Sequence, residues 1–158
     1  MSVSHPRFSA RIAGPPDKIF GLIADLPNYH RWLPGSGSFG GTTDVSPYPV
    51  CLGTTYLDAG PAGARPGIVT EFDPPHRIAF HHTMQLRKGL LRADIDVQIR
   101  YALDPNERGT LVLRDLDLSI RMPGPLAIAE PLVLRAFRKE NIRILAELKR
   151  YIEMQSAA

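Results

Sequence analysis

Three residues capable of chemistry interrupt otherwise apolar stretches of this chain: His82 in IAFHHTMQ, Tyr101 in IDVQIRYAL and Arg114 in LVLRDLDL. Each stretch alternates apolar and polar residues, the period of a strand with one buried face, so each of the three shares its face with Ile, Val, Leu or Phe. A guanidinium on such a face needs an anion or several acceptors. Arg114 is therefore a donor that orients a ligand carbonyl, phenolate or carboxylate, or half of an ion pair with Glu71, or a residue snorkelling from the strand end. His82 is a general acid/base that burial keeps neutral at pH 7, or a core histidine with a local partner. Tyr101 and Tyr56 offer phenolic O–H groups either to a ligand oxygen or to the backbone. Asn141 sits in the middle of an apolar helical stripe, where an amide must be hydrogen-bonded, to a ligand or to a loop carbonyl.

Other chemistries lack their residues. His81 and His82 are neighbours on a strand and point to opposite faces, and with His76 they do not form a zinc-like spacing, so no metal is expected. No phosphate-binding Gly loop, nucleophile elbow or Cys–His pair occurs, and no cofactor is expected. Catalysis here would have to be acid/base or purely templating.

The elements that would position these groups follow from periodicity. Residues 5–13 alternate as a half-buried strand near a sheet edge. Pro15, Pro16 and Asp17 suit the first turn of a helix, and Ile19, Leu22, Ile23 and Leu26 form its apolar face. Pro27 stops it and starts a second short helix that buries Tyr29, Trp32 and Leu33. Residues 39–45 and 53–59 read as strands, and 60–66, GPAGARP, as a loop at the rim of a cavity mouth. Strands over 77–85, 94–103 and 110–121 join as hairpins. Centring those hairpins on their loops puts Ile78, Phe80, His82 and Met84 on one face with Ile95 to Leu103 and with Val112, Arg114, Leu116, Leu118 and Ile120. The DPPH turn leaves Glu71 open; if it points out, Ile68, Thr70 and Phe72 point in. A helical segment from about 126 to 154, kinked or restarted at Pro131, lays Leu134, Phe137, Asn141, Leu145, Leu148 and Ile152 toward the sheet.

With 158 residues, the chain fits one domain, 1–158, able to bury a core. A net charge of +3 is mildly basic. Its richest cluster, Arg135 to Arg150, is interleaved with acids and reads as a solvated helix face, so no nucleic-acid partner is expected. One cysteine, Cys51, leaves no intrachain disulfide and suits a cytoplasmic setting. No stretch has the apolar length of a membrane span, and the N-terminus lacks the apolar core of a signal peptide.

The helix pair ending Tyr29…Trp32-Leu33-Pro34, the Leu52-Gly53-Thr54-Thr55 strand start, the Glu71-Phe72-Asp73-Pro74-Pro75-His76-Arg77-Ile78 hairpin and the closing helix 137–153 carry a resemblance over nearly the whole chain. The sequence resembles the polyketide cyclase/dehydrase-like branch of the START/Bet v (SRPBCC) superfamily. That resemblance implies an α+β helix-grip fold: a curved antiparallel β-sheet wrapped around a long C-terminal helix, with two short helices after the first strand and a cavity between sheet and helix. It implies a small hydrophobic or aromatic ligand, held among Arg114, His82, Tyr101, Asn141 and Tyr56 with Phe80, Leu116, Phe137 and Trp32, in a monomer or homodimer. Tyr29 and Trp32 match framework positions that pack the short helix on the sheet, or would form a stacking platform. Two further functions stay open: an aromatic cyclase/dehydratase in which Arg114, Tyr101 and His82 polarise a carbonyl and shuttle a proton, and a non-catalytic interaction or quinone/lipid-chaperone module sharing the ADxxxYxxWLP helix pair. Aromatase/cyclases carry a cavity arginine on the strand leading into the Asp-Pro turn; aligned on Asp73-Pro74, that position here is Thr70 or a neighbour and is not arginine.

Overall fold

Alternating runs become strands and the two helical stripes become helices, in the order the periodicity predicts. The computed structural model describes residues 1–60 and 63–157. Strands β1 (Ser2–Ser4) and β2 (Arg7–Ile12) precede α1 (Pro16–Ala24) and a short 3-10 helix, Leu26–Arg31. Then come β3 (Thr42–Ser46), β4 (Thr55–Gly60), β5 (Gly63–Asp73), β6 (Arg77–Lys88), β7 (Leu91–Asn106) and β8 (Gly109–Arg121). A 3-10 turn, Gly124–Ala129, leads into α2 (Glu130–Ser156). Among the described residues the strands form one antiparallel eight-stranded sheet, with β1 and β2 both on β8 at one edge and β3 at the other. The fold is a helix grip, and no helix among the described residues is long and apolar enough to cross a membrane.

The central register is the one that the centred hairpins predict. Ile78 faces Tyr101, which faces Arg114; Phe80 faces Ile99, which faces Leu116; His82 faces Val97, which faces Leu118. All nine are buried. Their neighbours on the other face form exposed ion pairs such as Arg100–Asp117 at 2.6 Å and Arg7–Asp115 at 3.2 Å. A polar group on that side costs nothing because water solvates it.

Beyond the central strands, local irregularities overturn four expectations. Of the segment 60–66 read as a loop, Gly60 ends β4 and residues 63–66 begin β5, with Gly60 paired to Gly63 and Ala59 to Ala64, while residues 61 and 62 lie outside the described set. The Gly and Pro content that suggests a loop does not prevent backbone pairing at residues 63–66. In β5 the register against β6 shifts between Val69 and Glu71, a bulge that inserts one residue. Glu71 does point out, opposite Ala79, and Phe72 points in, opposite Ile78; but the inward residue before the bulge is Val69, and Ile68 and Thr70 face solvent. Glu71 therefore lies across the sheet from Arg114 and is not its ion-pair partner. The strand expected over 39–45 begins only at Thr42.

The helices follow their stripes with small changes. In α1, Ile19, Phe20 and Ile23 are the buried positions, Leu22 is half-buried, and Phe20 meets Phe72 edge-on at 5.6 Å. The second short helix is 3-10 in character with a kink at Asn28, and it is pinned by the Tyr29 hydroxyl, which donates to the Ile23 carbonyl. The C-terminal helix starts at Glu130, one residue before Pro131, consistent with proline's tolerance in a first helical turn. It buries Val133, Asn141, Leu145, Leu148 and Ile152, while Leu134 and Phe137 are half-buried. Its C-terminal half is clamped to the start of the chain: Lys149 Nζ donates to the Arg11 carbonyl at 2.6 Å and Glu153 accepts from the Ala13 N–H at 3.2 Å. A Cβ on Gly14 would sit 2.6 Å from the Ile152 side chain, so only glycine allows that approach.

Candidate functional site

Where the first half of α2 stands off the sheet, apolar side chains do not close the gap, and a cavity of about 350 Å³ remains. Its floor is the inward face of β4 to β8, its roof Val133, Ala136, Phe137, Asn141 and Ile144 of α2, and its side the Tyr29 and Phe39 rings. The segment after Pro34 is tied to the roof, because Arg143 donates to the Pro34 carbonyl at 2.9 Å and to Glu140 at 2.7 Å.

Arg114 is a buried cation on this wall, and only 6% of it is exposed. Its Nε donates to Asn141 Oδ1 at 2.6 Å, one Nη donates to the Tyr101 hydroxyl, and the guanidinium carbon lies 4.9 Å from the Tyr101 ring centroid. The Asn141 amide in turn donates to the Phe137 carbonyl one helical turn earlier at 2.7 Å, which fixes its oxygen toward the arginine. Two neutral acceptors thus hold a cation, and no carboxylate among the described residues pairs with it. A guanidinium carries five N–H donors, so this trio leaves some of them for whatever enters the cavity.

The remaining expected residues separate clearly. His82, Tyr56, Phe80, Leu116 and Phe137 line the same cavity with the Arg114 trio, and Tyr56, Phe80 and Tyr101 stand edge-to-face in a row at 6.0 and 6.3 Å. Trp32 does not line it. That ring packs edge-on against Tyr29 at 5.0 Å behind the wall, a framework position rather than a platform. Among the charged wall residues that escape the sequence reading are Asp58 and Arg65, register partners on β4 and β5. Asp58 shares strand parity with Tyr56, two residues away, a signal that strand alternation carries. Arg65 lies in the stretch read as a loop, and it puts a cavity arginine on the strand entering the Asp-Pro turn, well before Thr70. Among the described residues no group of three His, Cys, Asp or Glu is placed to hold a metal.

A family model described as "Polyketide cyclase / dehydrase and lipid transport" matches residues 5–153. The chain belongs to that family. As a family member it shares its fold with the di-domain ARO/CYC StfQ from the steffimycin biosynthetic pathway, at a TM-score of 0.73 and 13% identity, covering 99% of this chain and 53% of that one. It thus spans about half of that di-domain protein. Ara h 8.0201 superposes at 0.70 with 11% identity, covering 97% and 99% of the two chains. A START superfamily protein from Mycobacterium smegmatis superposes at 0.60 with 16% identity over 96% and 98%. At these identities the likeness is one of fold, and no curated protein matches the sequence.

Electrostatics within the family member's cavity follow from burial. Desolvation, aided by the Arg65 and Arg114 charges, drives the His82 imidazole down to about 3, so it is neutral at pH 7. Burial pushes the Tyr56 and Tyr29 phenols up, and it raises the Asp58 carboxyl against the opposing hydrogen bond from Thr42, 2.6 Å long. A testable consequence concerns acid stability. The unfolded chain protonates His82 near its ordinary value of 6.5 and the folded one only near 3, so between those values the unfolded state binds more protons. Folding stability present above pH 6.5 is therefore lost as pH falls toward 3, by up to about 1.4 kcal/mol per pH unit. His82→Phe should show a smaller fall in urea midpoint between pH 7 and pH 4 than the parent; equal falls would mean that His82 takes up its proton in the folded state.

Proposed function

We propose that this protein binds a small, largely apolar molecule in the cavity between sheet and α2, and that Arg114, presented by Tyr101 and Asn141, holds an anionic or carbonyl oxygen of that molecule. One observation carries the reading: a guanidinium only 6% exposed, held by two neutral acceptors beside open apolar volume. A buried cation left without a counter-charge is costly to the folded state, and a ligand oxygen offsets that cost where no protein carboxylate does. The cavity also has the size of a small-molecule site, mostly apolar with a few convergent polar groups.

Native mass spectrometry of protein purified from its own host tests this. The expected spectrum has a mass adduct that organic solvent releases, and the released compound carries a carboxylate, phenolate or conjugated carbonyl. A spectrum of bare protein, together with failure of an apolar aromatic carboxylate to bind, would sink the proposal. A second reading is favoured by the Tyr101 hydroxyl on the guanidinium: two donors converging on one ligand carbonyl would polarise it for ring closure or dehydration, as in an aromatic cyclase. His82, neutral at pH 7, would then serve as a proton acceptor and not as a cationic acid. Loss of a linear polyketide substrate in the presence of protein would distinguish turnover from binding.

A further inference from the structure

The floor of the cavity is laid out in rows by the strand register. Arg114 and Tyr101 occupy one row with Ile78 and Phe72. The next row is wholly apolar: Val69, Phe80, Ile99 and Leu116. The row after that, four residues or roughly 13 Å along the strands from Arg114, holds Tyr56, Gly67, His82, Val97 and Leu118. His82 lines the cavity there, is only 8% exposed, and its Nδ1 is buried without a hydrogen-bond partner. Gly67, inward-facing but without a side chain, lets the Tyr56 ring lie across it; a Cβ at that position would run into the ring. Glycine at this one place therefore lets the phenol extend over β5 in the row that holds the imidazole.

We propose that His82 and Tyr56 form a second polar anchor, for a hydroxyl group of the bound molecule, so that the ligand is two-ended: an acidic or carbonyl oxygen on Arg114, an apolar aromatic middle over the Phe80 row, and a hydroxyl at the far end. This rests on the reading of Arg114 as the first anchor. A hydroxyl is the group that fits, because it both donates and accepts and so answers a neutral imidazole in either tautomer. The charges orient the molecule. At the His82 end the wall carries both an acid, Asp58, and a base, Arg65, as register partners on neighbouring strands, whereas Arg114 stands without a carboxylate partner among the described residues, so the acidic end belongs with Arg114.

Calorimetric titration with two probes tests the anchor: para-biphenylcarboxylate, and the same acid with a hydroxyl at the far para position. The hydroxyl is expected to tighten binding about fivefold to tenfold in the parent protein, one buried hydrogen bond's worth. In His82→Phe that ratio is expected to collapse to about one, and Gly67→Ala, which displaces the Tyr56 ring, should shrink it as well. The parent-protein ratio needs no variant to fold. If the plain acid binds and the hydroxyl makes no difference or weakens binding, the second anchor is wrong and the Arg114 reading stands. A ratio that survives His82→Phe also overturns it. If neither acid binds, or if Arg114→Met leaves the plain acid's affinity unchanged, the Arg114 reading falls and takes the two-ended ligand with it.

Discussion

Replacing Arg114 by Met is expected to weaken binding of an aromatic carboxylate by about 1.5–3 kcal/mol, the range for a hydrogen bond to a charged group, while leaving the ligand-free protein at least as stable. The two effects separate because the cation serves the ligand and burdens the fold. Arg114 is buried on neutral acceptors, Asn141 Oδ1 and the Tyr101 hydroxyl, with no carboxylate pairing it among the described residues. An unbranched apolar side chain of similar length removes the buried charge and fills its space. Of the groups it leaves, the Asn141 amide keeps the Phe137 carbonyl, and the Asn141 and Tyr101 side chains both border the cavity rather than close-packed apolar core. Calorimetry and a thermal melt on one preparation decide the matter. Intact affinity with a lowered melting temperature would mark Arg114 as a structural residue and leave the cavity without its anchor.

Leu148→Ala should cost about 2–5 kcal/mol of folding stability, the range for truncating a buried leucine. Leu148 is 0% exposed in the buried stripe of α2, in the half of the helix that Lys149 and Glu153 clamp to the chain start. Because that clamp and the glycine contact at Ile152 hold the helix backbone, the wall cannot collapse inward and the truncation leaves a true void. Phe137→Ala is the useful contrast. Phe137 is half-buried on the cavity roof, so its truncation enlarges a space that already exists and should cost less than Leu148→Ala while altering ligand affinity. Urea midpoints for the two variants measure this; a loss under about 0.5 kcal/mol for Leu148→Ala would show that the helix does not rest on the sheet through that residue.

The placement of the cavity in one half of the helix has a visible cause. Near its C-terminus α2 closely approaches Gly14, just past β2, and is tied to Arg11 by Lys149 and to Ala13 by Glu153; toward its N-terminus the wall groups are Arg114, Tyr101 and Asn141, whose hydrogen bonds span a gap that apolar packing does not fill. The polar trio and the empty volume are thus two aspects of one arrangement.

The central three strands were legible from the sequence alone. Alternation with period two leaves a strand one choice of buried face, and three strands joined by short hairpins made that choice consistently, so the inward direction of His82, Tyr101 and Arg114 followed from residue types alone. The buried stripe of α2, with Asn141 at its centre, was legible for the same reason. Three things needed the tertiary structure. The bulge in β5 reversed Ile68, Val69 and Thr70, because a single inserted residue flips every side chain before it and leaves no mark in the apolar pattern. Arg65 entered the wall because residues 63–66, in a Gly/Pro-rich stretch that reads as loop, are held in the sheet by backbone pairing, which composition does not encode. Whether Arg114 found a carboxylate or a cavity depended on the face Glu71 took and on the distance at which α2 is held, both set by contacts between residues remote in the chain.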